Sequence, residues 1–167
     1  TVMSNSGFFA SLNNLGIECD QTKVGDRFVY ESMQNNDFSL GGEQSGHIIL
    51  KKYATTGDGI LTAIMLAEEM CDSKSTLAQL SEGLMLYPQH LVNLRVKEKA
   101  AVMNDPEVLA AEKKVNELID GKGRALLRES GTEPVIRIMI EAETLPLCEE
   151  YAEIIAKVIR ERGHLSE

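Results

Sequence analysis

Long apolar runs are missing from this sequence, and no stretch is long enough or apolar enough to span a membrane. Positive charge is scarce as well. Lys and Arg number 17 against 26 Asp and Glu, and the net charge of −9 argues against nucleic acid and anionic lipid as partners. Cys19, Cys71 and Cys148 are widely spaced, odd in number and form no Cys-x-x-Cys pair. That pattern suits free thiols in a reducing cytosol better than a disulfide framework or a cysteine zinc site. Signal and transit sequences, internal repeats and low-complexity segments are absent too. What is present is 43% hydrophobic residues in 167, ample for a packed core and enough chain for one large or two small domains. The chain begins at Thr1 rather than Met, and it reads as a fragment of something longer.

Against this acidic background the segment Arg128-Glu129-Ser130-Gly131-Thr132-Glu133-Pro134-Val135-Ile136-Arg137 stands out. Two hydroxyls and a glycine form a short turn, with an arginine on the strand entering it and another on the strand leaving it. Each guanidinium can grip two oxygens of a phosphate in fork geometry. Ser130 and Thr132 can donate to the same oxygens, and Gly131 lets backbone amides approach as an anion-binding nest. A surface hairpin whose arginines pair with Glu129, Glu133 or Glu141 is the plainer alternative. The density of donors favours phosphate.

Helical and extended patterns alternate through the first half, which predicts an α/β domain with a mixed, largely parallel sheet, incomplete at its N-terminus. Thr1 to Met3 reads as the end of a buried strand. Phe8, Leu12 and Leu15 define a helix that Gly16 stops, and a second helix runs through Met33. Asp58 is placed to cap a helix that carries Ile60, Leu61, Ile64, Met65 and Ala67 toward a core. Thr76 to Gln79 has the form of a capping box, and Gly83 ends its short helix.

The domain break falls between Lys74 and Pro88, drawn as domains 1–83 and 84–167. The second half predicts a small α+β domain, an antiparallel sheet backed by helices. Leu91 to Val96 alternates as a strand, and Asp105-Pro106 starts a helix whose buried stripe is Val108, Ala111, Val115, Leu118 and Ile119. Two further strands flank the phosphate turn. In the second, Ile136, Ile138 and Ile140 share one face, which turns Arg137 away from the isoleucine core. A last helix turns Leu147, Tyr151, Ile154, Ile155, Val158 and Ile159 inward.

A second chemical centre is Gly42-Glu43-Gln44-Ser45-Gly46-His47. A carboxylate and a hydroxyl two residues apart suit adjacent hydroxyls of a sugar ring, and His47 could move a proton near neutral pH. The same residues also suit a glycine-rich turn with a solvated Glu and a His satisfied by backbone, and spacing alone does not choose. No metal site is expected. Asp26-Arg27 and Thr56-Gly57-Asp58-Gly59 each offer one isolated carboxylate, too few for the several oxygens magnesium needs.

Taken in order, Lys23-Val24-Gly25-Asp26-Arg27, Gly42 to His47, Thr56 to Gly59 and Arg128 to Arg137 resemble the α-D-phosphohexomutases, over essentially the whole chain. The wording Gly41-Gly42-Glu43-Gln44-Ser45-Gly46-His47 is most similar to the amino-sugar branch. Members have four domains, and the resemblance implies most of the third and all of the fourth. It gives Glu43 and Ser45 the sugar's 3- and 4-hydroxyls, and it places His47 near the reacting oxygen. Lys23 and Arg27 fall in a cleft-facing segment, with no role assigned to Asp26. Arg128, Ser130, Gly131, Thr132 and Arg137 fall to the non-reacting phosphate.

The implied parent is an intramolecular phosphotransferase of the cytoplasm. It would interconvert glucosamine 6-phosphate and glucosamine 1-phosphate through a 1,6-bisphosphate. The family's phosphoserine and Mg2+ loop belong to domains not seen here. This stretch is therefore expected to be inactive alone and to bind no metal. Its implied partners are a hexosamine phosphate and the N-terminal domains, and a homodimeric parent is compatible. A phosphomannomutase/phosphoglucomutase and a non-catalytic sugar-phosphate binding module are the alternatives.

Overall fold

Helices and strands follow one another mostly in pairs along the chain, and the computed structural model, which describes residues 1–166, groups them into two units. The first is Thr1–Met85 and the second begins at Leu86.

In the first unit, α1 (Ser6–Asn14) begins where the Asn5 side chain accepts the Gly7 N–H. It is followed by α2 (Asp26–Asn35), β1 (Leu40–Gly42), β2 (Ile48–Leu50), α3 (Gly59–Ser73) and α4 (Leu77–Leu80). Asp58 caps α3 as expected, accepting from the N–H groups of Ile60 and Leu61 at 2.9 and 3.0 Å. The Thr76/Gln79 capping box forms in full at α4. Val29 and Met33 of α2 pack on Ile49 of β2, with Tyr30 and Phe38 alongside.

Several expectations for this unit are corrected. The sheet described is an antiparallel hairpin, Leu40↔Leu50 to Gly42↔Ile48, because strands joined by only residues 43–47 can pair no other way. Thr1–Met3 forms a turn rather than a strand, and Val2 N–H bonds Thr22 C=O at 2.8 Å. The buried residues of α1 are Gly7 and Ser11, while Leu15 is 73% exposed. The Met85 backbone lies so close that a Cβ on Gly7 would overlap its carbonyl oxygen. Ser11 Oγ donates to Gly7 C=O and accepts from Met85 N–H. In α3 no residue is buried, and Ile60 and Ile64 are 77% and 60% exposed.

The second unit holds β3 (Gln89–Arg95), α5 (Lys99–Met103), α6 (Pro106–Ile119), β4 (Arg124–Glu129), β5 (Val135–Glu141) and α7 (Leu145–Glu161). The sheet is antiparallel in the order β3-β5-β4, so β5 is central. Ile136, Ile138 and Ile140 enter the core with Val108, Ala111, Val115 and Ile119 of α6 and Ile155 and Ile159 of α7. Leu118 does not join that stripe, being 49% exposed. Along α7 the deepest positions are Cys148, Ala152, Ile155, Ala156 and Ile159, with Leu147, Tyr151, Ile154 and Val158 partly buried around them. Cys19, Cys71 and Cys148 are free thiols, and burial pushes the Cys148 thiol up.

Two polar devices complete this unit. Asn116 on α6 accepts the Ala125 N–H at 2.9 Å and donates to the Ala125 carbonyl at 3.2 Å. Glu112 accepts the Leu127 N–H at 2.9 Å. The backbone of the outer strand β4 is thereby met by side chains. Asp105, buried at the start of α6, accepts the Glu107 N–H and binds Arg162 Nε at 2.9 Å and His164 Nε2 at 2.7 Å. Residues 164–166 close beside β3, through the Val96↔Leu165 bridge and a Ser166 N–H to Arg95 C=O bond.

Candidate functional site

The hairpin register places residues 43–47 at the tip of β1–β2, where Gly46 N–H bonds Glu43 C=O and Glu43 N–H bonds His47 C=O. The tip is docked on the start of α2, since Glu43 Oε1 accepts the Gly25 N–H at 3.0 Å. Two segments that sequence separates by 18 residues thus meet. Asp26 lies beside His47, with Oδ2 3.8 Å from Nε2. Lys23 is exposed, and Arg27 is an exposed side chain paired along α2 with Glu31 at 2.8 Å. Ser45 stands exposed at the tip, and Glu43 is half-buried.

His47 rests on Gly57. Its Nε2 accepts the Gly57 N–H at 3.2 Å, and a Cβ on Gly57 would lie 2.5 Å from Cε1. An acceptor Nε2 is unprotonated, whereas an ion pair with Asp26 would require the proton on the same nitrogen. The Gly57 bond is the shorter, and Asp26 is solvent-screened. The Gly57 bond, rather than the Asp26 contact, is therefore the one that orients the ring. Gly57 follows Thr56 in a motif that spacing singled out, but the contact with His47 had no signal in the sequence.

In the second unit, the face of the sheet turned away from the helices is organised in rows. Strand register aligns Asn93, Arg137 and Arg128 across β3, β5 and β4. Next come Leu91, Met139 and Leu126, then Gln89, Glu141 and Arg124. Directly paired residues share a face, so each row runs across one side of the sheet. Arg124 and Glu141 answer each other at 3.0 Å. The Asn93–Arg137–Arg128 row carries two cations and no carboxylate.

Arg137 Nη2 donates to Ser130 Oγ at 3.5 Å and lies 3.7 Å from Glu133, contacts at the outer limit of each kind. Arg137 Nε is buried without a hydrogen-bond partner among the described residues. Ser130 is buried at 3% exposure, and its hydroxyl also accepts from Glu133 N–H at 3.4 Å. Gly131 and Thr132 are exposed at the crest of the turn, and a Cβ on Gly131 would touch nothing. Of the residues singled out in the sequence, Arg137 thus contacts Ser130 and pairs with Arg128 in the ladder, with Gly131 and Thr132 on the same turn. Lys99 of α5, whose Nζ donates to Ser130 C=O at 2.6 Å, was missed. No group of three or more His, Cys, Asp or Glu that could hold a metal ion occurs among the described residues. Nor is any helix among them long and apolar enough to cross a membrane.

Residues 1–87 match the family profile "Phosphoglucomutase/phosphomannomutase, alpha/beta/alpha domain III", and residues 91–158 match the profile of the C-terminal domain. The chain belongs to the phosphoglucomutase/phosphomannomutase family. It is 49% identical over 164 residues to a phosphoglucosamine mutase of Lachnospira eligens, covering 98% of this chain and 36% of that protein. It thus spans about a third of the length of the curated relatives it matches. Among solved structures it is similar to Aspergillus fumigatus N-acetylphosphoglucosamine mutase. The complex with glucose 1,6-bisphosphate gives a TM-score of 0.78 at 18% identity, over 97% of this chain and 38% of that one. The complex with GlcNAc-6P and magnesium gives 0.73 at 18% identity, over 96% and 37%. At that identity the likeness concerns the fold.

Proposed function

We propose that this chain is the sugar- and phosphate-recognising part of a phosphoglucosamine mutase, a cytoplasmic enzyme that interconverts glucosamine 6-phosphate and glucosamine 1-phosphate. The observation that carries the reading is the carboxylate-free row of Arg128 and Arg137 beside the buried Ser130 hydroxyl. Two guanidiniums held side by side repel unless an anion lies between them. A phosphate supplies that charge, and Gly131 and Thr132 offer it further donors at an open crest.

Glu43 uses one oxygen to hold Gly25 and keeps the other for a ring hydroxyl, with Ser45 two residues on. Such a loop can serve a hexose bound in either direction, because adjacent equatorial hydroxyls are offered to it both ways. His47 rests against Gly57 and can exchange a proton at a nearby oxygen, while Lys23 and Arg27 contribute positive charge on the same unit. Phosphoryl transfer depends chiefly on positioning and charge stabilisation, which is what these residues offer.

Magnesium, present with GlcNAc-6P in the Aspergillus fumigatus complex, would supply charge neutralisation to a transferring phosphoryl group. Its site is assigned, on the family resemblance, to another part of the parent. The phosphoserine donor is assigned there too. The test is to titrate the chain with inorganic phosphate and with glucosamine 6-phosphate, using Arg128→Ala and Arg137→Ala as controls. Saturable binding lost in both variants supports the reading. Wild-type affinity in folded variants removes the phosphate assignment.

A further inference from the structure

We propose that Lys99 is a positioning residue for the phosphate turn: its ammonium holds the Ser130 carbonyl and so aims the Gly131 amide at the bound anion. The inference rests on the turn being a phosphate site and adds a residue to it that no motif contains.

Three observations carry it. Lys99 Nζ donates to Ser130 C=O at 2.6 Å, a short charge-assisted bond, across 31 residues of sequence. The helix that bears Lys99 is anchored, since Val102 one turn on is fully buried in the main core and α5 packs against β4 and β5. The ammonium therefore approaches the turn from a fixed base. Finally, Ser130 N–H bonds Val135 C=O at 2.9 Å, which ties the near side of the same residue to the ladder. Ser130 is held at both its peptides.

Geometry then dictates the direction of the next donor. The Ser130–Gly131 peptide is planar and trans, so its C=O and N–H point in opposite directions. With the carbonyl drawn to Lys99, the Gly131 N–H points away from α5. The space beside Gly131 is open, with nothing within 4 Å of a built Cβ. Polarisation of the carbonyl by an ammonium also makes the N–H of the same peptide a stronger donor. A lysine at 99 thus presents a fixed, sharpened amide without touching the ligand. Without it the turn would have to fix that peptide at the moment of binding.

The test uses the isotope-labelled 167-residue chain and inorganic phosphate as probe. In the wild type, phosphate should bind saturably and move the Gly131 amide proton downfield. Lys99→Met, which keeps the stem and removes the ammonium, should weaken phosphate binding roughly ten- to a hundredfold. It should also abolish the Gly131 shift at saturation, and Lys99→Arg should restore most of both. Weaker binding with the Gly131 shift intact would mean that Lys99 acts only through its charge at a distance, and the proposal is overturned. Unchanged affinity in Lys99→Met overturns it as well. Absence of saturable phosphate binding in the wild type would instead remove the phosphate reading of the turn itself. Should Lys99→Met fail to fold, the unmutated chain decides. A slowly exchanging Lys99 ammonium with through-hydrogen-bond coupling to the Ser130 carbonyl carbon is expected, and a freely exchanging one without coupling overturns the proposal.

Discussion

Arg128 on β4 and Arg137 on β5 stand directly opposite each other in the ladder, two cations on one strip of sheet. Like charges so placed destabilise a sheet unless something compensates them. Two rows along the same face, Arg124 faces Glu141, the arrangement a purely structural row would adopt.

The first prediction follows from that contrast. Without ligand, Arg128→Met should leave stability unchanged or raise it slightly, because it relieves repulsion. In phosphate the order should reverse. A ligand at a hundred times its Kd adds about 2.7 kcal/mol to the wild type, and the variant loses this gain. Denaturant midpoints in phosphate and in chloride at equal ionic strength check it. A variant that is destabilised equally in both buffers would show the arginine to be structural.

Glu43 links the hairpin tip to the start of α2, so its loss should be felt twice. Glu43→Ala removes a charge-assisted bond to Gly25 and should destabilise the first unit by about 1.5–3 kcal/mol. In the full-length parent it should also lower kcat/KM roughly ten- to a hundredfold in both directions of the reaction. Glu43→Gln keeps an acceptor for Gly25 and separates the two effects. Near-normal stability with poor turnover is the expected outcome, and normal turnover would take Glu43 out of the sugar site.

Gly57 offers a test of the imidazole. Gly57→Ala places a methyl group 2.5 Å from His47 Cε1, so the ring must swing away and give up its bond to the Gly57 N–H. The cost in stability should be small, about 1 kcal/mol. The His47 ring resonances should move much more than any others. Catalysis in the parent should fall if His47 serves the reacting oxygen, and resonances at their wild-type positions would mean that the ring does not rest where described.

Acid should loosen the second unit through Asp105. Hydrogen bonds from His164, then from Arg162, hold its carboxyl well below the usual carboxylate range. The folded state therefore binds that proton less readily than the unfolded chain. The resulting stability is full above the ordinary Asp value of about 4 and is lost as the pH falls below it. Urea midpoints measured from pH 7 down to pH 2 should drop more steeply for the wild type than for Asp105→Asn. Parallel curves would exclude Asp105 as the source.

Much of the second unit is legible in sequence because its elements satisfy their own periodicity. Ile136, Ile138 and Ile140 alternate, and Val108, Ala111, Val115 and Ile119 repeat at helical spacing. In the first unit the same rule misleads. Ile60 and Ile64 mark an apolar side of α3, but a pattern reports what a face is suited to contact, not whether it does so. The contact made by α1 is hidden for the opposite reason. It uses Gly7 and Ser11, small and polar, against a backbone 74 residues away. Motif reading found Glu43, His47 and the arginine turn. It did not find that Gly25 holds Glu43, that Gly57 floors His47 or that Lys99 backs Ser130, since each joins two segments whose meeting no local pattern encodes.

Asn116 and Glu112 have a meaning beyond the core they flank. By bonding the backbone of Ala125 and Leu127 they occupy the outer margin of β4, where a foreign strand would otherwise dock. At the far side of the sheet, Ser166 occupies the end of β3 through its bond to Arg95. The ladder is thereby stopped from growing sideways. The unit that pairs Arg128 with Arg137 in its ladder thus has the β4 margin already occupied by its own side chains.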